Sequence, residues 1–156
     1  MKVALGSDKS GFPLKEAIKQ SLVDNGIEFD DLGTTDLSAP KGYFVVAPLV
    51  AQKVQAGEYD RAILICGTGA GMSIVANKYK GVYAVASESV YSAKMARAIN
   101  NAQILCMGGW IVAPEMGVKM AEAFLTTDWL QDLEDWRKTW LTNASATVSE
   151  LEETLF

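Results

Sequence analysis

A short apolar run that ends in a glycine-rich loop constrains the fold of this chain more than any other segment. Residues 62–65 are all apolar and do not alternate with polar residues, and Cys66 follows them. Such a run is typical of a parallel strand that is covered on both faces. Three glycines then let the backbone turn sharply before a helix that can begin over residues 73–77. These glycines are Gly67, Gly69 and Gly71.

The rest of the chain alternates between strand patterns and helix patterns. Apolar residues recur at three- and four-residue spacing in the helical stretches, and Pro13 suits the first turn of the first helix. We predict strands over 2–7, 27–32, 62–66, 81–86 and 102–107, and helices over 13–24, 43–55, from 73, 87–98 and 113–125. This alternation predicts one doubly wound α/β domain, with a five-stranded parallel sheet and helices on both faces.

The C-terminal residues differ from this pattern, so we predict a domain over 1–126 and a helical extension over 127–156. Trp129, Trp136 and Trp140 recur at helical spacing with Leu133 between them. One interpretation is a terminal helix that packs on its own core. The other is an arm that docks on a second subunit, because interfaces are rich in tryptophan.

Composition excludes several classes of function. The net charge is -5 and there is no basic cluster, which argues against nucleic acid as the main partner. No apolar run approaches the roughly 18 residues that a membrane helix needs, and the N-terminus does not resemble a signal peptide. We therefore expect a cytoplasmic protein. The chain has no histidine, which removes the usual acid/base group near neutral pH and the usual metal ligand, and we predict neither a metal nor a cofactor.

The two cysteines are expected to differ in role. Cys66 lies at the carboxyl end of a predicted parallel strand, where α/β proteins bind ligands. The amides of its loop and the following helix N-terminus favour negative charge and therefore a thiolate. The alternative is an inert buried thiol. Cys106, at the end of another apolar run, is expected to be structural.

Several short motifs lie in register along residues 1–125, and the cysteine–glycine loop is the most specific of them. They are Gly6-Ser-Asp8, Gly11, Leu14-Lys15-Glu16, Leu32-Gly33-Thr34, Cys66-Gly-Thr-Gly-x-Gly71-Met-Ser73, Ala76-Asn77-Lys78, Tyr91-Ser92-Ala93, Asn100 and Met107-Gly108. Together they resemble the type B ribose-5-phosphate isomerase and galactose-6-phosphate isomerase family. The resemblance implies a Rossmann-like three-layer sandwich and aldose–ketose isomerisation of a phosphorylated sugar without a metal. It also implies a homodimer, sometimes paired into a tetramer, with active sites at the subunit interface.

The resemblance also assigns roles to residues. Cys66 is implied as the base that moves a proton through a cis-enediolate, and Thr68 as a hydroxyl that assists ring opening or holds a substrate oxygen. Negative charge on the substrate is expected to meet the loop amides. The implied substrate contacts are Asp8, Lys9, Tyr43, Gly67, Gly69, Gly71, Met72, Asn100, Arg137 and Lys138, the last two reaching a neighbour's substrate phosphate. Turn geometry, packing, a helix cap or plain surface charge remain alternatives for Asp8, Thr68, Tyr43, Asn100 and Arg137.

Three positions depart from the pattern of the family. Lys9 and Ile99 stand where the family usually has histidine, and Trp110 stands where it often has arginine. The histidine missing at Ile99 is the acid that opens a furanose ring. A chain without that acid suits a substrate that cannot cyclise, and residues 100–104 look similar to tetrulose-phosphate isomerases. The leading expectation is therefore an isomerase of erythrulose phosphate or a related short-chain sugar phosphate.

Other functions stay open at this point. One is an isomerase of ribose 5-phosphate or another pentose or hexose phosphate, and another acts on an unphosphorylated or uronate-derived sugar. A non-catalytic sugar-phosphate-binding protein is also consistent with the missing histidines. A dinucleotide-binding domain is disfavoured, because the glycine loop follows the third strand and no acidic residue lies at the spacing expected for a ribose contact.

Overall fold

The computed structural model describes all residues from Met1 to Phe156 and contains one five-stranded parallel sheet. The strand order is β2-β1-β3-β5-β4, and every neighbouring pair is parallel. This confirms the predicted α/β sheet. The strands are β1 (Val3–Ser7), β2 (Phe29–Asp31), β3 (Arg61–Cys66), β4 (Ala84–Ala86) and β5 (Ile104–Gly108).

Six helices complete the fold. They are α1 (Phe12–Asp24), α2 (Tyr43–Gln55), α3 (Ala70–Ala76), α4 (Val90–Ala98), α5 (Pro114–Thr126) and α6 (Asp135–Leu155). Helices α1, α4 and α5 bury their apolar side chains against one face of the sheet, and α2 and α3 bury theirs against the other. The predicted three-layer sandwich is therefore confirmed. None of the helices combines the length and apolar character that crossing a membrane requires.

Strands β2 and β4 are about half as long as the sequence pattern predicted. We predicted strands over 27–32 and 81–86, whereas pairing is limited to Phe29–Asp31 and Ala84–Ala86. The Ile27 amide donates to the Leu22 carbonyl, so it closes α1 instead of extending β2. The Val82 amide donates to the Tyr79 carbonyl, which makes the residues before β4 a turn. Turn hydrogen bonds thus replace ladder bonds at both strand starts.

Helices α3 and α4 begin three residues from their predicted starts, and α1 and α5 begin one residue from theirs. The helical extension predicted over 127–156 becomes a helix only at Asp135, so Trp129 lies outside it. Helix α3 begins at Ala70, three residues before the predicted start, because Gly69 takes a left-handed conformation with φ 81° and turns the chain directly into the helix. Helix α4 begins at Val90 and not at residue 87. The Ser89 hydroxyl accepts a hydrogen bond from the Ser92 amide at 3.1 Å, so Ser89 is the N-cap.

Helix α6 contacts the sandwich along only part of its length. Leu141 is buried, and the Glu152 carboxylate accepts hydrogen bonds from the Gly81 amide at 2.5 Å and from the Tyr83 hydroxyl at 3.1 Å. Trp136 and Trp140 remain 65% and 63% exposed. The helix therefore leaves much of its apolar surface uncovered within one chain, and the division at residue 127 stays a prediction.

Candidate active site

Cys66 lies at the end of the central strand, at the edge where all strands have their carboxyl ends. The residues that follow the two neighbouring strands hold this strand end: the Gly109 amide donates to the Cys66 carbonyl at 2.8 Å, and the Asp8 amide donates to the Ile65 carbonyl at 3.2 Å. The thiol is 5% exposed, and its Sγ accepts a hydrogen bond from the Gly69 amide at 3.2 Å. The loop thus presents an N–H group to the sulfur.

The loop after Cys66 requires glycine at Gly69. Its φ is 81°, and a Cβ there would lie 2.9 Å from the Met107 carbonyl carbon. This turn places Gly71 and Met72 at the second and third positions of α3. Amides at these positions have no carbonyl partner within a helix, so they can receive negative charge on a ligand. The loop amides thus lie beside the thiol, and their contact with a substrate stays a prediction.

Asp8 and Lys9 belong to the β1–α1 loop, which adjoins the Cys66 loop. The Asp8 Oδ1 accepts a hydrogen bond from the Gly11 amide at 2.9 Å, so the turn that was an alternative for Asp8 is formed. Lys9 is exposed. The Ser10 carbonyl oxygen lies 2.5 Å from the point where a Gly109 Cβ would be, which shows how closely this loop packs against the β5–α5 loop.

Tyr43 and Thr68 line the same edge. Tyr43 is the first residue of α2, and its ring lies 3.0 Å from the point where a Gly71 Cβ would be. It also packs edge-on against Phe44, with 5.4 Å between ring centroids, so the ring both lines the loop and packs. Thr68 is exposed, and its Oγ1 lies 3.4 Å from the Ala70 amide. Both side chains face solvent beside Cys66.

Two further residues at this edge, Trp110 and Lys15, have structural roles that the sequence analysis did not predict. Trp110 lies on the Cys66 loop, because a Cβ on Gly67 would meet its indole carbons at 2.8 Å. Lys15 is fully buried, and its Nζ donates to the Asp31 carboxylate at 2.6 Å and to the Thr34 carbonyl. The burial of Lys15 could have been inferred from the sequence, because Leu14 and Ile18 on the same helix are apolar and buried. The sequence held no comparable signal for the contact of Trp110.

Asn100, Arg137 and Lys138 are not at this edge in the same chain. Strand register pairs Ala62 with Ile104 and Cys66 with Gly108, and Asn100 precedes β5. It therefore lies at the amino edge of the sheet, at least four strand residues or roughly 13 Å away from Cys66. Asn100 also does not cap α4, since that position is Ile99.

The amino edge holds a groove between α6 and the body of the protein. Its volume is about 570 Å³, and Ile99, Asn100, Trp140 and Leu141 are among its lining residues. Arg137 lies close by on α6, with its Nε 3.5 Å from the Glu134 carboxylate and its guanidinium 5.2 Å from the Trp136 ring centroid. These predicted contacts thus form a second cluster, separate from the thiol.

Burial changes the ionisation of two groups near these clusters. It raises the pKa of the Cys106 thiol far above its ordinary value of 9.0, as expected for a structural cysteine. Burial, followed by the charge of Arg61, lowers the pKa of Arg97 to about 10. Arg97 donates to the Asn101 side-chain oxygen at 3.0 Å and so holds the left-handed residue that follows Asn100. No group of three or more Cys, Asp and Glu side chains converges as metal ligands do.

Comparison with known proteins identifies the family of this chain. The family model described as Ribose/Galactose Isomerase matches residues 3–139. The 4-deoxy-4-sulfo-D-erythrose isomerase of Clostridium sp. (strain MSTE9) is 55% identical over 156 residues, covering 100% of this chain and 98% of that protein. The D-erythrulose-4-phosphate isomerase 2 of Mycolicibacterium smegmatis is 42% identical over 132 residues, covering 83% of this chain and 84% of that protein.

Solved structures give the same result. The ribose-5-phosphate isomerase B of Clostridium thermocellum superposes with a TM-score of 0.89 at 32% identity, and the match covers 100% of both chains. The likeness therefore includes α6 as well as the sandwich. The resemblance that the sequence motifs indicated is confirmed. This chain belongs to the ribose/galactose isomerase family of sugar-phosphate isomerases and is itself an aldose–ketose isomerase.

Proposed function

We propose that this protein interconverts a four-carbon aldose and ketose that carry an anionic group at C4, with Cys66 as the base. The preferred pair is 4-deoxy-4-sulfo-D-erythrose and the corresponding erythrulose, which replaces erythrulose phosphate as the leading candidate. One observation carries this proposal: the chain has no histidine to open a sugar ring, and lysine and isoleucine occupy the two positions concerned. The full-length relative at 55% identity is named for a sugar that has no ring to open.

The substituent at C4 decides whether a four-carbon sugar can form a ring. A four-carbon aldose can close a five-membered ring only through its C4 hydroxyl. A sulfonate bonded to C4 replaces that hydroxyl, and a phosphate on O4 blocks it. Ribose 5-phosphate keeps a free C4 hydroxyl and is mostly cyclic, so its isomerase needs an acid that this chain lacks.

The proton path requires one base and a set of donors. The Cys66 thiolate removes the proton from C2, and the electron pair moves through C1=C2 to the C1 oxygen. The amides of Gly71 and Met72 receive the charge on the enediolate oxygen, each preorganised donor contributing about 3 to 4 kcal/mol. The Thr68 hydroxyl holds a substrate oxygen. The protonated thiol returns its proton to C1, and the C2 hydroxyl passes its proton to the C1 oxygen, so that C1 carries a hydroxyl and C2 becomes the ketone. No atom is gained or lost.

The substrate site is completed by a second copy of the chain. Asn100 and Arg137 lie at the amino edge, so one chain cannot bring them to its own Cys66. The exposed apolar residues Phe44, Ile74 and Trp136 supply the surface that such a dimer would bury. In this arrangement, Asn100 of the second copy contacts a substrate oxygen and its Arg137 contacts the anionic group, with Lys138 adding positive charge. The reaction takes place in the cytoplasm and uses no cofactor.

Erythrose 4-phosphate and erythrulose 4-phosphate form the second candidate pair. The relative from Mycolicibacterium smegmatis is named for that ketose and shares 42% identity with this chain. Its substrate is also unable to cyclise, so the missing acid does not separate the two candidates.

A substrate panel tests the proposal. The purified protein is given 4-deoxy-4-sulfo-D-erythrose, D-erythrose 4-phosphate, D-ribose 5-phosphate and D-erythrose, and the ketose formed is measured by chromatography. We expect kcat/KM for the sulfonate to exceed that for ribose 5-phosphate by about 100-fold, a discrimination that pocket contacts can supply. A preference for ribose 5-phosphate would overturn the proposal.

A further inference from the structure

We propose that Trp110 determines which anionic group this enzyme accepts, favouring a singly charged sulfonate over a doubly charged phosphate. The inference rests on the proposed function and adds the residue that sets specificity within it. The exposed indole of Trp110 takes no part in the catalytic steps, so its role is in specificity alone.

The Trp110 ring lies on the loop that directly follows the base. The ring lies against Gly67, directly after Cys66, and the Trp110 amide donates to the Gly67 carbonyl at 3.0 Å. Its neighbour Gly109 packs against the Ser10 carbonyl, and Lys9 precedes Ser10. Trp110 and Lys9 are thus the chain neighbours of one contact between two loops, and Tyr43 contacts the Cys66 loop at Gly71.

The Trp110 ring is exposed to solvent, unlike an indole that packs in a core. Trp110 is 74% exposed although it touches the loop, so it presents a flat apolar face to whatever enters. The terminal group of a four-carbon sugar whose C2 lies at Cys66 is only two carbons away. We infer that this group reaches the part of the edge that carries Trp110 and Lys9.

The loops at this edge carry little positive charge. Those that follow the five strands contain two lysines and three carboxylates, which gives a net charge of -1. These residues are Asp8, Lys9, Asp36, Lys41 and Glu88. Apart from the Arg137 and Lys138 that the second copy is proposed to bring, this edge attracts a dianion poorly, and the apolar Trp110 ring adds no positive charge to it.

Sulfonate and phosphate differ in net charge, to which an uncharged apolar surface is sensitive. A sulfonate carries one negative charge at any pH of interest. A phosphate monoester carries between one and two, because its second pKa is about 6. Removing two charges from water costs more than removing one, and here an indole face supplies no compensating hydrogen bond at the wall.

Equilibrium binding separates this inference from the catalytic proposal. Dissociation constants are measured by calorimetry for 4-deoxy-4-sulfo-D-erythrose and D-erythrose 4-phosphate in the Cys66→Ser protein, with and without Trp110→Arg. We expect Trp110→Arg to shift the ratio of the two constants about tenfold toward phosphate, the effect of one added charge at a partly exposed site. In the parent protein the preference for sulfonate should shrink between pH 8 and pH 5, as the phosphate gains a proton.

Matched variants define the outcomes. Val23→Arg adds the same charge at an exposed position on α1 and should leave the ratio unchanged. Trp110→Lys makes the same prediction as Trp110→Arg, so a folding defect in one variant does not remove the test. A ratio that stays within about twofold in both Trp110 variants overturns the role of Trp110 and leaves the four-carbon substrate intact. Failure of the parent protein to bind either sugar overturns the proposed substrate, and the role of Trp110 with it.

Discussion

At the scale of single residues, the buried ammonium of Lys15 connects the strand ends that carry the site. Its Nζ contacts the Asp31 carboxylate at 2.6 Å and the Thr34 carbonyl, and the Phe12 ring covers it at 4.8 Å. The Thr34 amide in turn donates to the Ser7 carbonyl at 2.8 Å, directly before Asp8. A lysine remote from Cys66 therefore helps to hold the loop that carries Asp8 and Lys9.

Replacing Lys15 with methionine should destabilise the protein strongly. The variant leaves the buried Asp31 carboxylate without its closest cation, and breaking a buried pair in this way costs about 3 to 5 kcal/mol. The free energy of unfolding in urea gives the measurement. Lys19→Met is the control, since Lys19 is partly exposed, lies 3.5 Å from the same carboxylate, and should cost less than about 1 kcal/mol. Equal losses in both variants would contradict the account.

The sequence predicted Cys66 and its donor loop because their signals are local. An apolar run, a terminal thiol and three glycines lie within ten residues, and each has a direct structural meaning. The contact of Trp110 with Gly67 was not predictable in this way. It depends on how two loops from different parts of the chain pack at the sheet edge, which no spacing in the sequence encodes.

At the scale of elements, the helices and strands occur in the predicted order, but several of them begin or end at other residues than predicted. Strands β2 and β4 lost residues to turns whose hydrogen bonds compete with the sheet ladder. Helix starts moved to residues that can cap or turn the chain, as at Ser89 and Gly69. Periodicity identifies an element, but local hydrogen bonds determine where it begins.

One contact between elements should make stability depend on pH in the alkaline range. The Tyr59 hydroxyl donates to the Asp30 carboxylate of β2 at 2.7 Å. Burial, followed by this hydrogen bond, raises the pKa of Tyr59 from 10.0 to about 12. A raised pKa favours the folded state while the group is protonated. The contribution is therefore complete below pH 10 and lost as the pH rises to about 12.

Thermal unfolding at several pH values checks this expectation. The difference in Tm between the wild type and Tyr59→Phe should be constant up to pH 10 and then fall toward pH 12. Tyr91→Phe serves as the control, because Tyr91 is 73% exposed, and its difference should stay flat. A Tyr59→Phe difference that does not change across this range would show that the hydrogen bond to Asp30 contributes nothing.

At the scale of the whole molecule, the predicted site is divided between two edges of the sheet. Cys66 and Asp8 lie at the carboxyl edge, whereas Asn100 lies at the amino edge and Arg137 lies near it on α6. The sequence resemblance implied this division, since it assigned Arg137 to a neighbour. A single chain shows the separation, and the second copy is our proposal for joining the two halves.

Mixing two inactive variants tests whether sites are shared between copies. Cys66→Ala and Arg137→Ala should each lose most activity, and joint refolding should restore roughly a quarter of the wild-type rate. Half of the randomly formed dimers are then mixed, and each mixed dimer has one intact site out of two. Cys66→Ala mixed with Asp8→Ala is the control and should restore nothing, because both residues come from the same copy. Recovery in the control, or none with Arg137→Ala, would contradict the shared site.

Proton exchange at the substrate carbons tests the central claim most directly. The wild type is incubated with 4-deoxy-4-sulfo-D-erythrose in D₂O and followed by proton NMR, with Cys66→Ala and Cys106→Ala in parallel. We predict conversion to the ketose with deuterium incorporated at C1, a rate lowered about 100- to 10,000-fold in Cys66→Ala, and little change in Cys106→Ala. Isomerisation that persists in Cys66→Ala, or a wild type that leaves this sugar unchanged, would contradict the account.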